Sequence, residues 1–344
     1  MAQPTMQQVA HRAGVSLALV SLVMRGAPNV SDRRRKLVLD AAEQLEYRPN
    51  VLARNLASLR TQTIGVVLND LHNPFFAEAI DGIQVAADAH DHRVLIGNGG
   101  RSEHVERAAI ETLLQFRVDG LILVGPEVGD QVIEAAARSA AVVAVGRTTE
   151  STLVDTVNND EAVGSRLAVE HLAHLGHRRI AHIGGGNGAG AWARQRGYEE
   201  AMIALGLEEH ILIAPGDFTE AGGYAAAGDL LDALDPPTAI FAANDLSAAG
   251  ALGKLEDAGL RVPPDISLVG YDNTSLAAMP HMSMTTIDQP RSLMGQTAVE
   301  TLIERVNGSR SQAVHHVIAP TLVERSSSAH PPSTPSIEQN VPPS

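Results

Sequence analysis

Residues 5–24 read TMQQVAHRAGVSLALVSLVM, two short apolar-faced segments separated by a glycine. The first spaces its apolar residues as one face of a helix over 6–13, and Thr5 is placed to cap that helix. Gly14 permits a tight reversal, after which Ser16 can cap a second helix that extends to the end of the stretch. Two short helices joined in this way predict a helix-turn-helix unit.

The pattern continues outward into a third helix and a possible hinge. A helix is predicted over 31–45, with Ser31 as its cap and Asp32 in its first turn. Its expected buried stripe consists of Leu37, Val38, Ala41, Ala42 and Leu45. Pro49 ends that helix because it disfavours the helical state of the preceding residue. Residues 51–59 are helical in pattern but too short to be stable alone, which indicates a hinge helix that folds against something else.

From Thr63 onward, short β-rich runs alternate with amphipathic helices. Strand, helix and strand at this spacing predict parallel sheets with helices on both faces. The predicted strands are Ile64–Leu68, Val94–Asn98, Gly120–Val124, Val142–Val145, Ile180–Ile183, Ala239–Ala243 and Ile266–Val269. This span is too long for one sheet of ordinary size, so two lobes are expected. A ligand would bind beyond the carboxyl ends of the strands, in a cleft that the lobes share.

Composition excludes several classes of protein. The 344 residues are 44% hydrophobic, which allows more than one core and argues against a disordered chain. Because there is no cysteine, disulfides, thiolate metal sites and a cysteine nucleophile are excluded. No apolar run is long enough to span a bilayer, and the first twenty residues lack the apolar core of a signal peptide. A soluble cytoplasmic protein with no membrane contact is expected.

The net charge of −14 is divided unevenly along the chain. Residues 1–60 carry nine Lys or Arg against four Asp or Glu, whereas the remainder carries 17 against 36. This asymmetry is typical of a small basic module that binds a polyanion while an acidic body stays soluble. A chance fluctuation of surface charge is the alternative explanation.

Short motifs occur along the chain in an order that is specific to one family. In the head they are Thr5 to Ser16, Val20-Ser21, Asn29-Val-Ser31, Tyr47-Arg-Pro-Asn50 and Leu52-Ala-Arg54. In the body they are Asn73-Pro-Phe-Phe76, Glu170-His171-Leu172, Gly176-His177-Arg178, Ala243-Asn-Asp245 and Val269-Gly-Tyr-Asp272. From about residue 5 to about residue 325 the chain thus resembles the LacI/GalR family of transcription factors.

The resemblance implies an α/β fold: a two-lobed body like that of periplasmic binding proteins, with parallel sheets and flanking helices, plus an N-terminal all-α helix-turn-helix head. The expected division is a head at 1–48, a hinge helix and linker at 49–61, an effector-binding and dimerisation body at 62–325 and a disordered tail at 326–344. We expect a homodimeric repressor that binds double-stranded operator DNA under the control of a sugar-like or nucleoside-like metabolite. No catalytic activity, cofactor or metal is expected. The alternative is a solute-binding protein with a vestigial head.

The resemblance also assigns DNA contacts. These residues are Thr5, Ser16, Leu17, Ala18, Ser21, Leu22, Arg25, Asn29, Ser31, Asn50, Ala53 and Leu56. The base-reading positions of the family correspond to Leu17, Ala18 and Leu22, none of which can form a side-chain hydrogen bond. Three interpretations stay open: these side chains contact thymine methyl groups, they contribute little specificity, or the leucines are partly structural.

Two further features of the head have competing interpretations. Leu56 corresponds to the apolar wedge that the family inserts into the minor groove, and packing between two hinge helices is the alternative. Arg25 stands where the family usually has Asn, and residues 33–35 are all arginine at the start of the third helix. These arginines form either a phosphate clamp or a solvated face.

The resemblance places effector contacts at Phe75, Phe76, Arg147, Arg194, Phe218, Asn244 and Asp272. Aromatic faces and planar charged groups suit a ring that carries hydroxyls. For the pair Phe75 and Phe76 a core role competes with this assignment, and Asp272 is alternatively a turn residue. Family members commonly carry Asp-Arg where this chain has Gly146-Arg147, so a carboxylate is missing and phosphorylated or acidic sugars gain weight.

The sequence contains only weak indications of a nucleotide site, a metal site or a catalytic site. The glycine-rich loop 184–190 does not meet the G-x-G-x-x-G spacing of dinucleotide-binding loops, and residues 186–191 satisfy only the looser form that ends in Ala. The loop is interpreted as a flexible rim of the cleft. His171, His174 and His177 recur every three residues, which favours a solvated or interface face over a metal site. No nucleophile elbow or HExxH motif is present.

Overall fold

A computed structural model of the chain describes residues 4–24, 26–47 and 61–332. Its contacts divide into two compact units, residues 1–61 and residues 62–344.

The first unit contains the three helices that its capping residues predict. They are α1 (Met6–Ala13), α2 (Leu17–Met24) and α3 (Asp32–Gln44). Thr5 and Gln8 form a reciprocal capping box at the start of α1, and Gly14 ends that helix in the left-handed conformation with φ 65°. Ser16 Oγ accepts a bond from the backbone N–H of Leu19 at 3.3 Å, as expected for the cap of α2.

The core of this unit is small and aliphatic. It is built from Val9, Ala10, Val20, Val23, Val30, Val38, Ala41 and Ala42. Two expectations for α3 are wrong. Leu37, assigned to its buried stripe, is 45% exposed because the helix presents Val38 and Ala41 to the core instead. Ser31 occupies the N-cap position, but its side chain forms no capping hydrogen bond.

The second unit contains two six-stranded sheets, each with helices on both faces. The first lobe comprises β1 (Thr63–Leu68), α4 (Pro74–Ala89), β2 (Arg93–Asn98), α5 (Glu103–Gln115), β3 (Gly120–Val124), α6 (Asp130–Ala137), β4 (Ala141–Val145), β5 (Val154–Asn159), α11 (Arg291–Val306) and β11 (His315–Ile318). Its strand order is β11-β5-β4-β3-β1-β2, and all pairs are parallel.

The second lobe repeats this plan. It comprises α7 (Glu161–His174), β6 (Ile180–Ile183), α8 (Ala191–Ala204), a 3₁₀ turn (Glu208–His210), β7 (Leu212–Ala214), α9 (Glu220–Leu231), β8 (Ala239–Ala242), α10 (Asp245–Asp257), β9 (Ser267–Asp272), β10 (Thr285–Asp288) and β12 (Thr321–Val323). Its order is β12-β10-β9-β8-β6-β7, parallel except for the edge pair β10 and β12.

Short connections join the two lobes. The chain crosses from one sheet to the other after β5, after β10 and after β11, with only one or two residues between the elements that it links. Buried hydrophobic clusters lie on both faces of each sheet. Because both lobes direct the carboxyl ends of parallel strands toward these crossings, the loops of both sheets meet at one cleft.

Five strands are not predicted from the sequence, namely β5, β7, β10, β11 and β12. Most of them are short or lie at a sheet edge, where little apolar patterning is needed. The strand β5 is different because it is fully buried although it reads Val-Asp-Thr-Val-Asn-Asn. Asp155, the second residue of this strand, is paired with Arg310 at 2.8 Å, a partner that is distant in sequence.

The predicted disordered tail begins too early. Ser327 is buried, its backbone carbonyl accepts from Leu268 N at 2.8 Å and its hydroxyl accepts from Thr285 N at 2.8 Å. His177 and His171 also contact this segment, at Ala329 O (2.8 Å) and at the Ser328 hydroxyl (2.9 Å). Residues 326–332 are therefore part of the second lobe, and the remaining residues, 333–344, lie outside the described ranges.

Within the described ranges, no group of acidic or histidine side chains is arranged to hold a metal ion. Two of the three regularly spaced histidines, His171 and His177, instead hold the C-terminal segment. No helix in those ranges combines the length and the apolar character that a membrane span requires.

A buried histidine in β6 makes the stability of the body depend on pH. His182 lies between the rings of Tyr198 and Phe241, 5.3 and 4.9 Å away between centroids, and within the described structure its Nε2 has no hydrogen-bond partner. Burial lowers the pKa of His182 to about 4. The unfolded chain binds this proton below pH 6.5 whereas the folded chain does not until about pH 4, so stability falls as the pH falls through that window.

We expect His182 to make the body about 2 kcal/mol less stable at pH 5 than at pH 7. The variant His182→Phe keeps the stacked ring and should lose this part of the pH dependence, as measured by urea unfolding of the full chain at both pH values. His281, which is exposed, provides the control: His281→Gln should keep the wild-type dependence. An unchanged difference between pH 5 and pH 7 in His182→Phe contradicts the assignment.

Candidate functional site

The cleft between the lobes contains a partly open cavity, with about 570 Å³ of space between its atoms when the open solvent is included. Loops that follow the strands of both sheets line it. The lining residues are Asn69, Asp70, Asn73, Phe75, Phe76, Arg101, Gly125, Glu127, Gly146, Glu161, Gly188, Ala189, Arg194, Phe218, Asn244, Asp272 and Gln289. Six of the seven predicted effector residues are among them, and Arg147 is not.

Two phenylalanines at the start of α4 form the apolar wall of the first lobe. Asn73 caps the helix by accepting from Phe75 N at 3.0 Å, and Pro74 opens the first turn. The rings of Phe75 and Phe76 are perpendicular, with centroids 5.2 Å apart. Both side chains are buried in the lobe core and also line the cavity, so the core and effector interpretations hold together.

The wall of the second lobe is Phe218, which follows β7 in a left-handed conformation with φ 65°. A side chain at Gly185 or Gly188 would collide with its ring. The glycine-rich loop therefore makes room for an aromatic side chain at the cleft. Asn244 fixes this arrangement because its Nδ2 donates to Phe218 O at 3.2 Å while its Oδ1 caps α10.

Arg194 is the buried centre of the cleft. Its Nε donates to Glu161 Oε2 at 2.7 Å and its Nη1 to Ala243 O at 2.6 Å, and its guanidinium lies over the Tyr271 ring at 3.9 Å. Asp272 Oδ1 is 3.5 Å from Nη1. Burial alone would lower the pKa of Arg194, but the carboxylates of Glu161 and Asp272 raise it above its ordinary value, so the side chain stays charged.

Asp272 is held at the end of β9 in an unusual backbone conformation with φ 109°. Strain of this kind persists where surrounding contacts fix the residue, often at a binding site. Its Oδ1 accepts from Gln289 Nε2 at 2.5 Å. Burial raises the pKa of the Asp272 carboxyl, which Arg194 opposes. Asp272 therefore points a fixed polar group into the cleft and is more than a turn residue.

A second buried carboxylate, that of Asp245, forms hydrogen bonds that fix the end of β9. Asp245 accepts from the Thr286 hydroxyl at 2.6 Å and from the backbone N of Thr274 at 2.7 Å. Burial raises the pKa of Asp245 to about 6, and these donors counteract the rise. Asp245 fixes the loop that follows Asp272 and does not line the cavity.

Arg147 does not reach the cavity. Its guanidinium donates to the carbonyls of Pro126 (3.1 Å) and Val128 (2.7 Å) and to the Asp130 carboxylate (2.9 Å). These contacts fix the loop after β3 and satisfy the charge. Arg147 instead lines the space next to this cavity, so its assignment as an effector contact stays a prediction.

Several lining residues are missed by the sequence reasoning, namely Asn69, Asp70, Asn73, Arg101, Glu127, Glu161 and Gln289. Most of them come directly after β1, β3, β5 or β10. Of these strands only β1 and β3 are predicted from the sequence, so a position just after a predicted strand could have identified the lining residues that follow those two. Nothing local marks Glu161 as the partner of Arg194, because the pair is formed only when α7 and α8 pack together.

Contacts also join the lobes directly across the cleft. Arg101, after β2, donates to Asp217 O in the second lobe at 2.6 Å. Glu78, on α4, accepts from Ser275 N at 2.9 Å. The relative position of the lobes is thus held by polar groups beside the cavity.

The head presents its predicted DNA-contact residues mostly to solvent. Leu17 and Leu22 are 45% and 40% exposed, so they are not part of the head core, and the structural interpretation of these two leucines loses support. The side chains of Thr5, Ser16, Ala18, Asn29 and Ser31 are exposed, and Ser21 is half-buried. The residues Arg25, Asn50, Ala53 and Leu56, and most of the predicted hinge, lie outside the described residues.

Comparison with known proteins agrees with both units. The family model described as bacterial regulatory proteins, lacI family, matches residues 5–50, and that of the periplasmic binding protein-like domain matches residues 169–328. The HTH-type transcriptional repressor PurR of Erwinia tasmaniensis is 34% identical over 337 residues, 95% of this chain and 98% of the relative.

Two solved structures are similar over nearly the whole chain. The lac repressor dimer bound to operator and the anti-inducer ONPF is 30% identical with a TM-score of 0.85, covering 95% of this chain and all of that one. The transcriptional regulator CelR in complex with cellobiose is 32% identical with a TM-score of 0.70, covering 94% and 99%.

A helix-turn-helix head in one chain with a two-lobed ligand-binding body defines a class of transcriptional regulators. The relatives and the family models identify the group within that class. This chain belongs to the lacI family of bacterial regulatory proteins. The predicted resemblance is confirmed, and so is the prediction of a DNA-binding regulator in place of an enzyme.

Proposed function

We propose that this protein is a repressor that binds operator DNA as a homodimer. A small metabolite that occupies the cleft either weakens or strengthens this binding. The observation that carries the proposal is the buried Arg194, Glu161 and Asp272 cluster between two lobes of a chain that also carries a helix-turn-helix head. A protein that binds operator DNA acts in the cytoplasm, where the DNA of a bacterium lies.

Three relatives support the individual steps. One is a named transcriptional repressor, one is a dimer bound to operator and an anti-inducer, and one is a regulator in complex with a sugar. Transferred to this chain, they favour a dimer, operator DNA and a sugar-like effector.

The lobes provide the coupling. A ligand in the cavity touches both lobes and competes with or reinforces the contacts of Arg101 with Asp217 and of Glu78 with Ser275. It therefore changes the relative stability of two lobe positions. A coupling of about 1–3 kcal/mol changes operator affinity about 5- to 150-fold.

We infer a neutral effector. Four carboxyl groups and two guanidinium groups line the cavity. Arg194 is paired with Glu161 and Asp272, and Arg101 lies 3.7 Å from Asp70. Arg147 is paired as well, with Asp130 at 2.9 Å. Because each of these arginines already has a carboxylate partner, a neutral effector is favoured over a phosphorylated or acidic sugar.

The alternative of a solute-binding protein with a vestigial head is disfavoured. The head keeps its capping box, its left-handed Gly14 turn and a closed aliphatic core. The lacI family model also matches it over residues 5–50.

A gel-shift titration tests the proposal. The full chain is mixed with DNA fragments that it selects from a genomic library, at 50 and 200 mM salt. We expect binding to weaken about 10³-fold or more between these salt concentrations, as for proteins that contact several phosphates. No shift at low salt would remove the DNA-binding function and favour the solute-binding alternative.

A further inference from the structure

Asn187 lies in the middle of the glycine-rich loop 184–190, which joins β6 to α8. Its side chain is exposed, lines the space next to the effector cavity and, among the residues that the structure describes, forms no hydrogen bond. The residue after it is Gly188, which has no Cβ. No side chain therefore separates the Asn187 amide from the peptide nitrogen that follows it.

The same Asn-Gly dipeptide occurs twice more in the sequence, as Asn98-Gly99 and Asn307-Gly308. The fold holds the first of these through both of its reacting groups. Asn98 Oδ1 accepts from Gly100 N at 3.0 Å, and Gly99 N donates to the backbone carbonyl of the strand β1 at 2.7 Å. The side chain and the following peptide nitrogen of Asn98 are thus kept apart.

The peptide nitrogen of Gly188 is the least constrained of the three. At the end of α11, Asn307 keeps a helical conformation and Gly308 N donates to Arg305 O at 3.1 Å. The corresponding bond of Gly188 N, to Gly185 O, is 3.3 Å long and exceeds the ordinary length of an N–H···O bond. A peptide nitrogen can attack a neighbouring amide only when it is released from such a bond, so the fold opposes this reaction least at Asn187.

We propose that Asn187 is a site of spontaneous deamidation that changes the rim of the cleft. Asparagine is among the heat-labile residues of proteins. The Gly188 nitrogen gives up its proton and bonds to Cγ of Asn187, the bond from Cγ to Nδ2 breaks, and the side-chain nitrogen leaves with that proton as ammonia. Water then opens the resulting cyclic imide. Opening at the side-chain carbonyl gives aspartate, and opening at the main-chain carbonyl gives isoaspartate, which adds one carbon atom to the main chain.

Both products alter the loop where it meets the effector cavity. Each adds a carboxylate to a space that Glu127 and Glu161 already line. Isoaspartate also lengthens the chain directly before Gly188, where even an added Cβ would collide with the Phe218 ring. Because this contact leaves no room, the longer loop either displaces the ring or moves away from it. The inference goes beyond the proposed function, since the reaction requires neither DNA nor an effector.

Peptide mapping of the full chain tests the proposal, because trypsin places the three Asn-Gly pairs on separate peptides, 180–194, 94–101 and 306–310. The chain is incubated at pH 6 and pH 9, folded or in urea, and sampled over time. In the folded chain at pH 9 we expect the Asn187 amide to be lost several-fold faster than those of Asn98 and Asn307. In urea the three should react alike, and at pH 6 all should slow because the nitrogen must lose its proton. Equal rates at Asn187 and Asn98 in the folded chain would overturn the proposal.

Trp192, the only tryptophan of the sequence, reports the change at the rim. It lines the same space as Asn187 and is 68% exposed. Its fluorescence should change with the same time course as the mass of the 180–194 peptide. Asn187→Gln, whose longer side chain forms a ring much more slowly, should keep the fluorescence constant, whereas the control Asn98→Gln should change as the wild type does. Fluorescence that stays constant while Asn187 is modified, or that changes equally in Asn187→Gln, contradicts the proposal.

Discussion

Replacing Arg194 by methionine should abolish the response to effector, with the affinity for the bound metabolite falling at least about 100-fold. The reason is that Arg194 organises the cleft: it joins Glu161 and Asp272 and stacks on Tyr271. Methionine leaves two carboxyl groups facing each other in a buried site. Calorimetry with an effector that binds the wild-type chain measures the loss, and a gel shift measures effector-free operator binding, which should persist.

The same change should also destabilise the body. Removing one partner of a buried ion pair costs about 3–5 kcal/mol, because the other charge stays buried without compensation. Urea unfolding at pH 7 measures this cost. Arg194→Lys keeps the charge but loses the fork that contacts Glu161 through two nitrogens and Ala243 through a third, so it should recover stability more than effector affinity.

A matched control lies two residues away. Arg196, on the exposed side of α8, pairs with Glu200 at 2.5 Å in solvent. Such exposed pairs contribute little to stability. Arg196→Met should therefore leave both stability and effector binding unchanged. If Arg194→Met folds and still responds to effector at wild-type concentrations, the assignment of the cleft is wrong.

The head could be predicted nearly to the residue because its signals are local. Thr5 and Gly14 bound α1 through backbone caps that involve residues three or four positions away. The first five predicted strands also follow local patterns, since their runs of Val, Ile and Leu are bounded by turns. The residues that could not be predicted are those whose surroundings are formed by distant parts of the chain.

Three residues or elements of the body show what local sequence patterns cannot predict. The polar strand β5 is buried because Arg310 neutralises Asp155 from far along the chain. Arg147 follows a predicted strand, as effector residues do, yet carbonyls of another loop hold it. Ser327 looks like part of a Ser- and Pro-rich tail, but it pairs with the backbone of β9. In each case the deciding partner lies far away in sequence, so no local pattern could identify it.

A charge placed on the exposed apolar face of α2 should have a large effect on operator binding. Leu22→Asp should weaken operator binding about 100-fold or more, because a carboxylate in the groove would repel phosphates and lose contact with base methyl groups. The side chain is exposed, so the head should keep its fold. Gel shifts with selected operator fragments, together with circular dichroism and thermal melting of each variant, measure the two effects separately.

The control is Leu39→Asp, which introduces the same charge at a leucine of α3 that is 47% exposed. The added negative charge lowers the general attraction to DNA in both variants, and that part should be small and equal. Only an α2 that enters the major groove makes Leu22→Asp much the worse of the two. Equal, modest losses in both variants would mean that the leucines of α2 do not face bases, and the specificity of the repressor would then have to come from DNA shape or from the hinge.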